Sequence, residues 1–128
     1  MNSEKPKVIT LDFAVLELYK NYIVSTINEG VSFDMPHLEE ITEVFIRNYP
    51  TIPFISIANR INDYTINPTC LLHSSILPNL IGIGVVSYSK SALETAKFEK
   101  KFYKGTLEVF DSFEDCIKWA KNLISANK

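Results

Sequence analysis

The sequence predicts a single α/β domain built on an open mixed sheet, with helices packed on the sheet. Two continuous apolar runs, at residues 54–58 and 80–88, are typical of parallel strands that are buried on both faces. Helix-starting residues follow each run, so strands and helices alternate through the second half of the chain. Before position 30, apolar and polar residues alternate, which predicts antiparallel strands. These patterns place an N-terminal antiparallel hairpin ahead of a series of βα units.

Length and composition are those of one globular domain. The chain has 128 residues, of which 46% are hydrophobic and 22% are charged. Residues 1–7 are mostly polar, and no apolar segment of a secretory signal follows them. They therefore predict a flexible N-terminal tail, and residues 8–126 are predicted to form the domain.

The first part of the domain is predicted to contain three strands in succession. They are expected at residues 8–12, 15–19 and 22–27. Lys20 and Asn21 separate the second strand from the third and favour a tight turn. The resulting hairpin is expected to form one edge of the mixed sheet.

Capping residues and prolines set the predicted ends of the first two helices. Asp34 is placed to cap the first helix, and Pro36 fits its first turn, where a missing N–H costs little. This helix is predicted to end near Tyr49, because residues before proline avoid helical backbone. Asn67 is expected to cap the second helix, which is predicted to run to about Leu77. The residues predicted to form its buried side are Leu71, Leu72, Ile76 and Leu77.

Serines are predicted to begin the remaining two helices. Ser91 and Glu94 have the spacing of a capping box, which predicts a helix that runs to about Tyr103. Ser112 is expected to cap the last helix, directly after a strand at residues 106–110. The predicted order is therefore three strands, followed by four helices that alternate with three further strands.

Two glycines lie inside the second buried run. Gly82 and Gly84 are not followed by a third glycine or by a strand-to-helix turn, so they do not form a dinucleotide-binding motif. A glycine inside a strand instead favours close approach of another element. We therefore expect a helix to pack tightly over these two positions.

Charge and cysteine content argue against several classes of protein. The net charge of −2 and the isoelectric point of about 5.7 disfavour a dedicated nucleic-acid binder. Cys70 and Cys116 fall on apolar helix faces, which predicts buried free thiols in a cytoplasmic protein. Residues 64–89 carry no charged side chain, but Pro68 and Pro78 interrupt them, so no membrane span is predicted.

Polar candidates for a binding site lie at the ends of the buried runs. Asn59 and Arg60 follow the first run, and Tyr88 ends the second. Asp63 and Tyr64 lie in the loop after Arg60. The carboxyl ends of parallel strands meet at one edge of a sheet, so these residues are predicted to bind a ligand or a partner there. The alternative is a set of local loop roles, including a surface ion pair between Asp63 and Arg60.

The sequence contains no recognisable catalytic or metal-binding pattern. His37 and His73 have no cysteine, histidine or aspartate partners at metal-ligand spacing. Ser74 and Ser75 lie within a predicted helix and not on a nucleophile elbow. We therefore expect a protein that is not an enzyme and that uses neither a metal nor a cofactor.

The order of elements resembles that of the STAS family, which includes bacterial anti-sigma factor antagonists, and of the related SpoIIAA-like or STAS/SEC14-labelled proteins. The resemblance covers residues 8–124 and includes the last helix, FEDCIKWAKNLI. The chain is also similar to small bacterial proteins of the Bacteroidetes type, with an Asn-Glu-Gly segment after the hairpin and an arginine, here Arg60, after the buried strand. These resemblances imply a SpoIIAA-like fold and a signalling role in bacteria.

The STAS resemblance also implies a phosphorylation site. In STAS regulators, a serine or threonine at the start of the helix after a central strand is phosphorylated, which releases a kinase partner. The corresponding segment here is DYTINPT, at residues 63–69, and it has no Ser-Ser-Gly motif. Thr65 and Thr69 are its hydroxyl residues and are therefore the candidate positions.

Two functions remain open from the sequence. The first is a non-enzymatic STAS-like regulatory module that binds a protein partner through the loop at residues 59–69. The second is a carrier or sensor of an anionic or lipid-like small molecule, with Arg60, Tyr64 and Tyr88 lining a crevice. A deep apolar cavity beneath Arg60 would favour the carrier, and a flat apolar patch on the second helix would favour the partner. An exposed hairpin edge would also allow a homodimer.

Overall fold

A computed structural model of the protein describes residues 5–74 and 77–127. It contains one six-stranded sheet, one small two-stranded sheet and four α-helices within these residues. The strands are β1 (Lys7–Thr10), β2 (Ala14–Leu18), β3 (Tyr22–Ile27), β4 (Ser32–Phe33), β5 (Phe54–Arg60), β6 (Thr65–Ile66), β7 (Leu80–Ser87) and β8 (Leu107–Phe110). The helices are α1 (Met35–Asn48), α2 (Thr69–Ser74), α3 (Lys90–Glu99) and α4 (Phe113–Ala126).

The main sheet is mixed, as predicted. Its strand order is β1-β2-β3-β5-β7-β8. The first three strands pair antiparallel, and β3, β5, β7 and β8 pair parallel to one another. The antiparallel hairpin therefore forms one side of the sheet and the βα units form the other. The predicted tail overlaps β1 at Lys7, and residues 1–4 of that tail lie outside the described residues.

The small sheet was not predicted. Strands β4 and β6 pair in parallel, with Ser32 beside Thr65 and Phe33 beside Ile66. The N–H of Thr65 donates to the carbonyl of Val31 at 3.0 Å. The segment after β5, expected to be a polar loop, is thus fastened to the chain just before α1. Sequence periodicity could not identify two such short strands, because each spans only two residues.

Most of the predicted helix caps are present. The Asp34 side chain accepts from the N–H of Met35, and His37 Nδ1 accepts from the N–H of Asp34, which completes a capping box. Ser112 Oγ accepts from the N–H of Asp115 at 3.2 Å. The prediction of Ser91 as a cap is wrong: Ser89 caps α3 and accepts from the N–H of Ala92 at 3.1 Å. Helix α3 begins at Lys90, so Ser91 already lies in its first turn.

Two other helix predictions need correction. Helix α3 ends at Glu99, and a 3-10 turn at Lys100–Phe102 replaces its predicted last turn. In α2, Leu71 is buried as predicted but Leu72 is exposed, because successive helical residues point about 100° apart. Leu77 is no longer helical, and the prediction for Ile76 lies outside the described residues.

The sheet separates two hydrophobic cores. Helices α1, α2 and α3 cover one face, where they pack on residues such as Ile23 and Ile83. Helix α4 covers the other face through Cys116 and Ala120, against Ile55 and Ile57. Cys70 and Cys116 are both buried and neither is in a disulfide, one lying in each core, as predicted. Among the described residues, none of the helices has the length and hydropathy needed to span a bilayer.

The two strand glycines do allow a helix to pack closely, as predicted. A methyl group added at Gly84 would lie 2.6 Å from Sγ of Cys116 and 3.0 Å from Cζ3 of Trp119. One added at Gly82 would lie 2.9 Å from Cδ2 of Leu123. Helix α4 therefore rests directly on the backbone of β7, at a distance that no side chain on the strand would permit.

This contact predicts the effect of replacing Gly84 with alanine. Gly84→Ala should lower the free energy of unfolding by about 1–3 kcal/mol, because the added methyl overpacks the core under α4. Urea denaturation measures the loss. The double variant Gly84→Ala/Cys116→Ala removes the closest clashing atom and should cost less than the sum of the two single variants. Strict additivity would contradict the proposed contact.

Candidate functional site

The two faces of the sheet divide the predicted site residues into two groups. Asn59 alternates with Ile55 and Ile57, which face α4, and it therefore lies on the α4 face. Tyr88 joins it there and donates from Oη to Asn59 Oδ1 at 2.5 Å, while about half of the Tyr88 side chain remains exposed. Arg60 lies on the opposite face. The structure thus does not bring Tyr88 together with Arg60 in one crevice.

Arg60 forms a buried ion pair. Its Nη2 donates to Oε1 of Glu99 at 2.6 Å, and its Nε donates to Oη of Tyr64 at 3.0 Å. The Arg60 and Glu99 side chains are only 11% and 5% exposed. This pair connects the end of β5 to the end of α3 across the face that carries three helices. At such low exposure, the loss of hydration is large and each charge depends on its partner.

Asp63 does not form the surface ion pair with Arg60 that the sequence suggested as an alternative. Arg60 turns inward to Glu99, and the Asp63 side chain stays exposed. The backbone of Asp63 holds the loop in place: its N–H donates to Oε1 of Glu29, and its carbonyl accepts from the N–H of Gly30 at 2.7 Å. Asp63 therefore contributes to the shape of the site through its main chain.

Burial and neighbouring charges set the protonation states of Arg60 and Tyr64. Burial by itself lowers the pKa of Arg60, but Tyr64 and Glu99 outweigh that effect, and the pKa of Arg60 lies above its ordinary value. Burial raises the pKa of Tyr64, and the nearby arginine opposes only part of the rise. At neutral pH, the guanidinium is therefore charged and the phenol keeps its proton.

Glu99 is the site residue that the sequence reasoning missed. It is 39 residues from Arg60, so no local spacing connects the two. One signal was present: Glu99 falls on the apolar stripe of α3, three residues after the buried Ala96. A charged residue on a buried stripe needs a partner of opposite charge. This requirement could have identified Glu99 as a site residue from the sequence.

An interior cavity of about 80 Å³ lies next to Arg60, between the sheet and the helices that cover this face. Ser56 and Ala58 line it from the central strand β5 and are partly exposed, although β5 has a strand on either side. Arg60, Tyr64 and Glu99 line one end of the cavity. The remaining walls are mostly apolar and include Ile27, Phe33, Leu38, Phe45, Val85 and Leu107.

An outer crevice of about 440 Å³ lies on the other side of the same residues. Arg60, Tyr64, Ile66 and Glu99 line both the cavity and the crevice. Four side chains thus separate an apolar interior space from a surface depression.

Both candidate phosphorylation positions are exposed, and one of them lines this crevice. Thr65 lines it, is exposed and belongs to strand β6. Thr69 is also exposed, at the start of α2, and its Oγ1 donates to Asn67 Oδ1 at 2.9 Å. Neither hydroxyl contacts the buried ion pair.

The histidines and acidic residues do not assemble a metal site in the part of the chain that is described. No group of three or more His, Cys, Asp or Glu side chains comes together there. His37 caps α1 and packs against the rings of Phe13 and Phe33, whereas His73 is exposed on α2.

The fold defines a class: the chain has a SpoIIAA-like fold, as the sequence resemblance implied. The whole domain is similar to a crystal structure from Shewanella loihica PV-4, described as an uncharacterized protein of the DUF3478 family with a SpoIIAA-like fold. The TM-score is 0.57, with 9% sequence identity over 94% of this chain and 97% of the other. At that identity the likeness concerns the fold alone. The sequence matches no protein-family model and no curated protein.

The buried ion pair predicts a large difference between two glutamate substitutions. Glu99→Ala should lower the free energy of unfolding by about 3–5 kcal/mol, because it leaves the Arg60 charge buried without a partner. The matched control is Glu108→Ala, which breaks an exposed 3.7 Å pair with Lys100 and should cost less than about 1 kcal/mol. Urea denaturation compares the two, and equal losses would contradict the assignment of a buried pair.

Proposed function

We propose that this protein is a non-enzymatic SpoIIAA-like binding domain that holds a small apolar molecule in the interior cavity beside Arg60. The observation that carries the proposal is the cavity of about 80 Å³, with apolar walls and polar groups at one end. Binding sites for small molecules commonly combine a mainly apolar lining with a few polar groups that fix orientation. The cavity lies next to Arg60, the position at which an apolar cavity was expected to favour a carrier.

The position of the cavity supports a binding role. The small side chains Ser56 and Ala58 occupy the middle of the sheet, where a larger residue would fill the space and add to stability. The outer crevice shares Arg60, Tyr64 and Glu99 with the cavity and lies next to it at the surface. Incomplete packing at the centre of the domain therefore supports a cavity that a ligand occupies.

The chemistry of the cavity supports a role without catalysis. Cys70 is the nucleophilic residue among its lining, and burial, with the nearby charge of Asp34, raises the pKa of its thiol. A protonated thiol is a weak nucleophile. The cavity lining contains no histidine that would act as its base. The residues around the space are therefore suited to hold a molecule and not to transform one.

Xenon binding tests the cavity directly. Under xenon pressure, NMR signals of cavity residues such as Val85 and Leu107 should shift, because xenon enters apolar cavities. Ala58→Leu should abolish these shifts by filling the space. The control Ala126→Leu adds the same side chain at an exposed position of α4 and should leave the shifts unchanged. If xenon perturbs no cavity residue of the unmodified protein, the proposal fails.

A protein partner is the second candidate function, and exposed residues at the sheet edge favour it. Ile61 and Tyr88 each follow the last residue of a strand, and those two last residues are paired in the sheet. Ile61 is 59% exposed and Tyr88 is 52% exposed. Exposed apolar side chains of this kind support a surface that a protein partner covers.

Mass spectrometry of protein isolated from its own host tests the regulatory candidate. A phosphate-sized increment that maps to Thr65 or Thr69 is expected if this surface is a switch. The Thr65→Ala/Thr69→Ala variant serves as the control and should lack the increment. An unmodified chain under conditions in which the host's signalling kinases are active would contradict the switch.

The cysteines, the net charge and the edge of the main sheet support proposals about location and partners. We propose a bacterial, cytoplasmic location, which the two buried cysteines support because neither is in a disulfide and reducing conditions preserve thiols. The negative net charge supports the absence of a nucleic-acid partner. Strand β1 lies at the edge of the main sheet with Val8 56% exposed, which supports a homodimer formed by edge pairing.

A further inference from the structure

Phe98 is an exposed aromatic residue that lies among lysines. Its side chain on α3 is 52% exposed. The Nζ atom of Lys101 lies over the ring, 5.6 Å from the centroid, and the ring of Phe102 packs against it edge-on with centroids 5.5 Å apart. These contacts orient the ring and leave about half of the side chain in water. We call Lys97, Phe98, Lys101 and Lys104 the basic patch.

The basic patch carries an excess of positive charge. Residues 97–104 contain four lysines and one glutamate, and that glutamate, Glu99, is buried in the ion pair with Arg60. Lys97 and Lys101 form no ion pair with any described residue. The whole chain carries a net charge of −2, so the patch is opposite in sign to the molecule. Lysines around an exposed ring indicate a partner surface that is both acidic and apolar.

A groove of that character lies between α1 and α2. Its volume is about 470 Å³. Glu39 and Glu43 line it with exposed carboxylates, and neither forms an ion pair within the part of the chain that the structure describes. No lysine or arginine belongs to its described lining. The other lining residues are mostly apolar: Met35, Leu38, Thr42, His73 and Leu77.

The spacing of the charges is the same on the two surfaces. Glu39 and Glu43 are four residues apart on α1, so they lie on one side of that helix about one turn apart. Lys97 and Lys101 are also four residues apart, on α3 and the 3-10 turn that continues it. Two lysines can therefore face two glutamates at once. Phe98 lies between these lysines in sequence and can enter the groove beside the carboxylates.

The groove and the basic patch belong to helices that cover the same face of the sheet. Helix α2 forms one wall of the groove and also contacts the 3-10 turn after α3, so the two surfaces are neighbours on one chain. Two copies related by a two-fold axis can therefore place each patch in the other copy's groove. Such a reciprocal contact closes on itself and forms a dimer.

We infer that two copies of this chain associate through their helix-covered faces, with the basic patch of each copy in the α1–α2 groove of the other. Phe98 fills the groove of the second copy, and the lysines of the patch pair with its two carboxylates. A central aromatic side chain in a pocket commonly supplies much of the binding energy, and charges at the rim fix the orientation. This contact does not depend on the proposed ligand, and it differs from edge pairing at β1 because it joins helices.

Sedimentation velocity of the full chain over a range of concentrations measures this association. The unmodified protein should dimerise, and the dimer should weaken between about 50 and 500 mM NaCl, because salt screens exposed charges. Phe98→Ala should raise the Kd of the dimer roughly tenfold or more, the effect of truncating a central aromatic residue.

Charge reversal tests which two surfaces meet. Lys97→Glu/Lys101→Glu and Glu39→Lys/Glu43→Lys should each raise the Kd roughly tenfold or more, because like charges then face each other. All four positions are exposed, so both variants should fold. An equimolar mixture of the two variants should recover the dimer, because both contacts of the mixed dimer again join opposite charges.

Lys118→Glu/Lys121→Glu is the matched control, since it makes the same charge change at exposed positions of α4 on the other face of the sheet. It should leave the dimer unchanged. A chain that stays monomeric at millimolar concentration, or a mixture that recovers no dimer, would overturn the inference. A dimer that survives both charge reversals but is lost in Val8→Lys would also overturn it, because edge pairing at β1 would then form the interface.

Discussion

The buried ion pair between Arg60 and Glu99 is the interaction on which the site depends. It joins the carboxyl end of the central strand β5 to the last turn of α3. Each charge is held away from water and is tolerable only with the other present. The pair fixes α3 over this edge of the sheet and, with Tyr64, separates the cavity from the crevice.

The two faces of the sheet are packed in different ways, and the difference explains where the cavity lies. On one face, glycines in β7 let a single helix, α4, press Cys116 and Trp119 against the strand backbone. On the other face, three helices share the cover, and the described part of α2 is only six residues long. The small residues Ser56 and Ala58 are not covered tightly there. The cavity therefore lies on the face that also carries the ion pair.

The SpoIIAA-like fold tolerates almost complete replacement of its sequence. The Shewanella protein has the same fold at 9% identity, which is possible because a mixed sheet requires a pattern of apolar residues and turns more than particular side chains. Function resides in the few residues at the strand ends, and these are free to differ between proteins of one fold. In this chain, the carboxyl end of β5 carries Arg60, which contacts Tyr64 and Glu99.

The sequence by itself determined the elements whose signals are local. Apolar runs defined β5 and β7, Asp34 and Ser112 capped their helices, and the glycines of β7 indicated a close helix. These features depend on residues near one another in the chain, so periodicity and capping chemistry predict them. Even so, Ser89 and Ser91 are both residue types that cap helices. The path of the chain from β7 places Ser89 at the cap position.

Only the tertiary structure decided how the site is assembled. It paired Arg60 with Glu99 and not with Asp63, and it placed Tyr88 on the opposite face. It also joined β4 to β6 and left Ser87 buried without a partner among the described residues. Each of these outcomes depends on strand register and on which helix covers which face. Such contacts connect residues that are distant in sequence, and their energies are set by burial that no local pattern encodes.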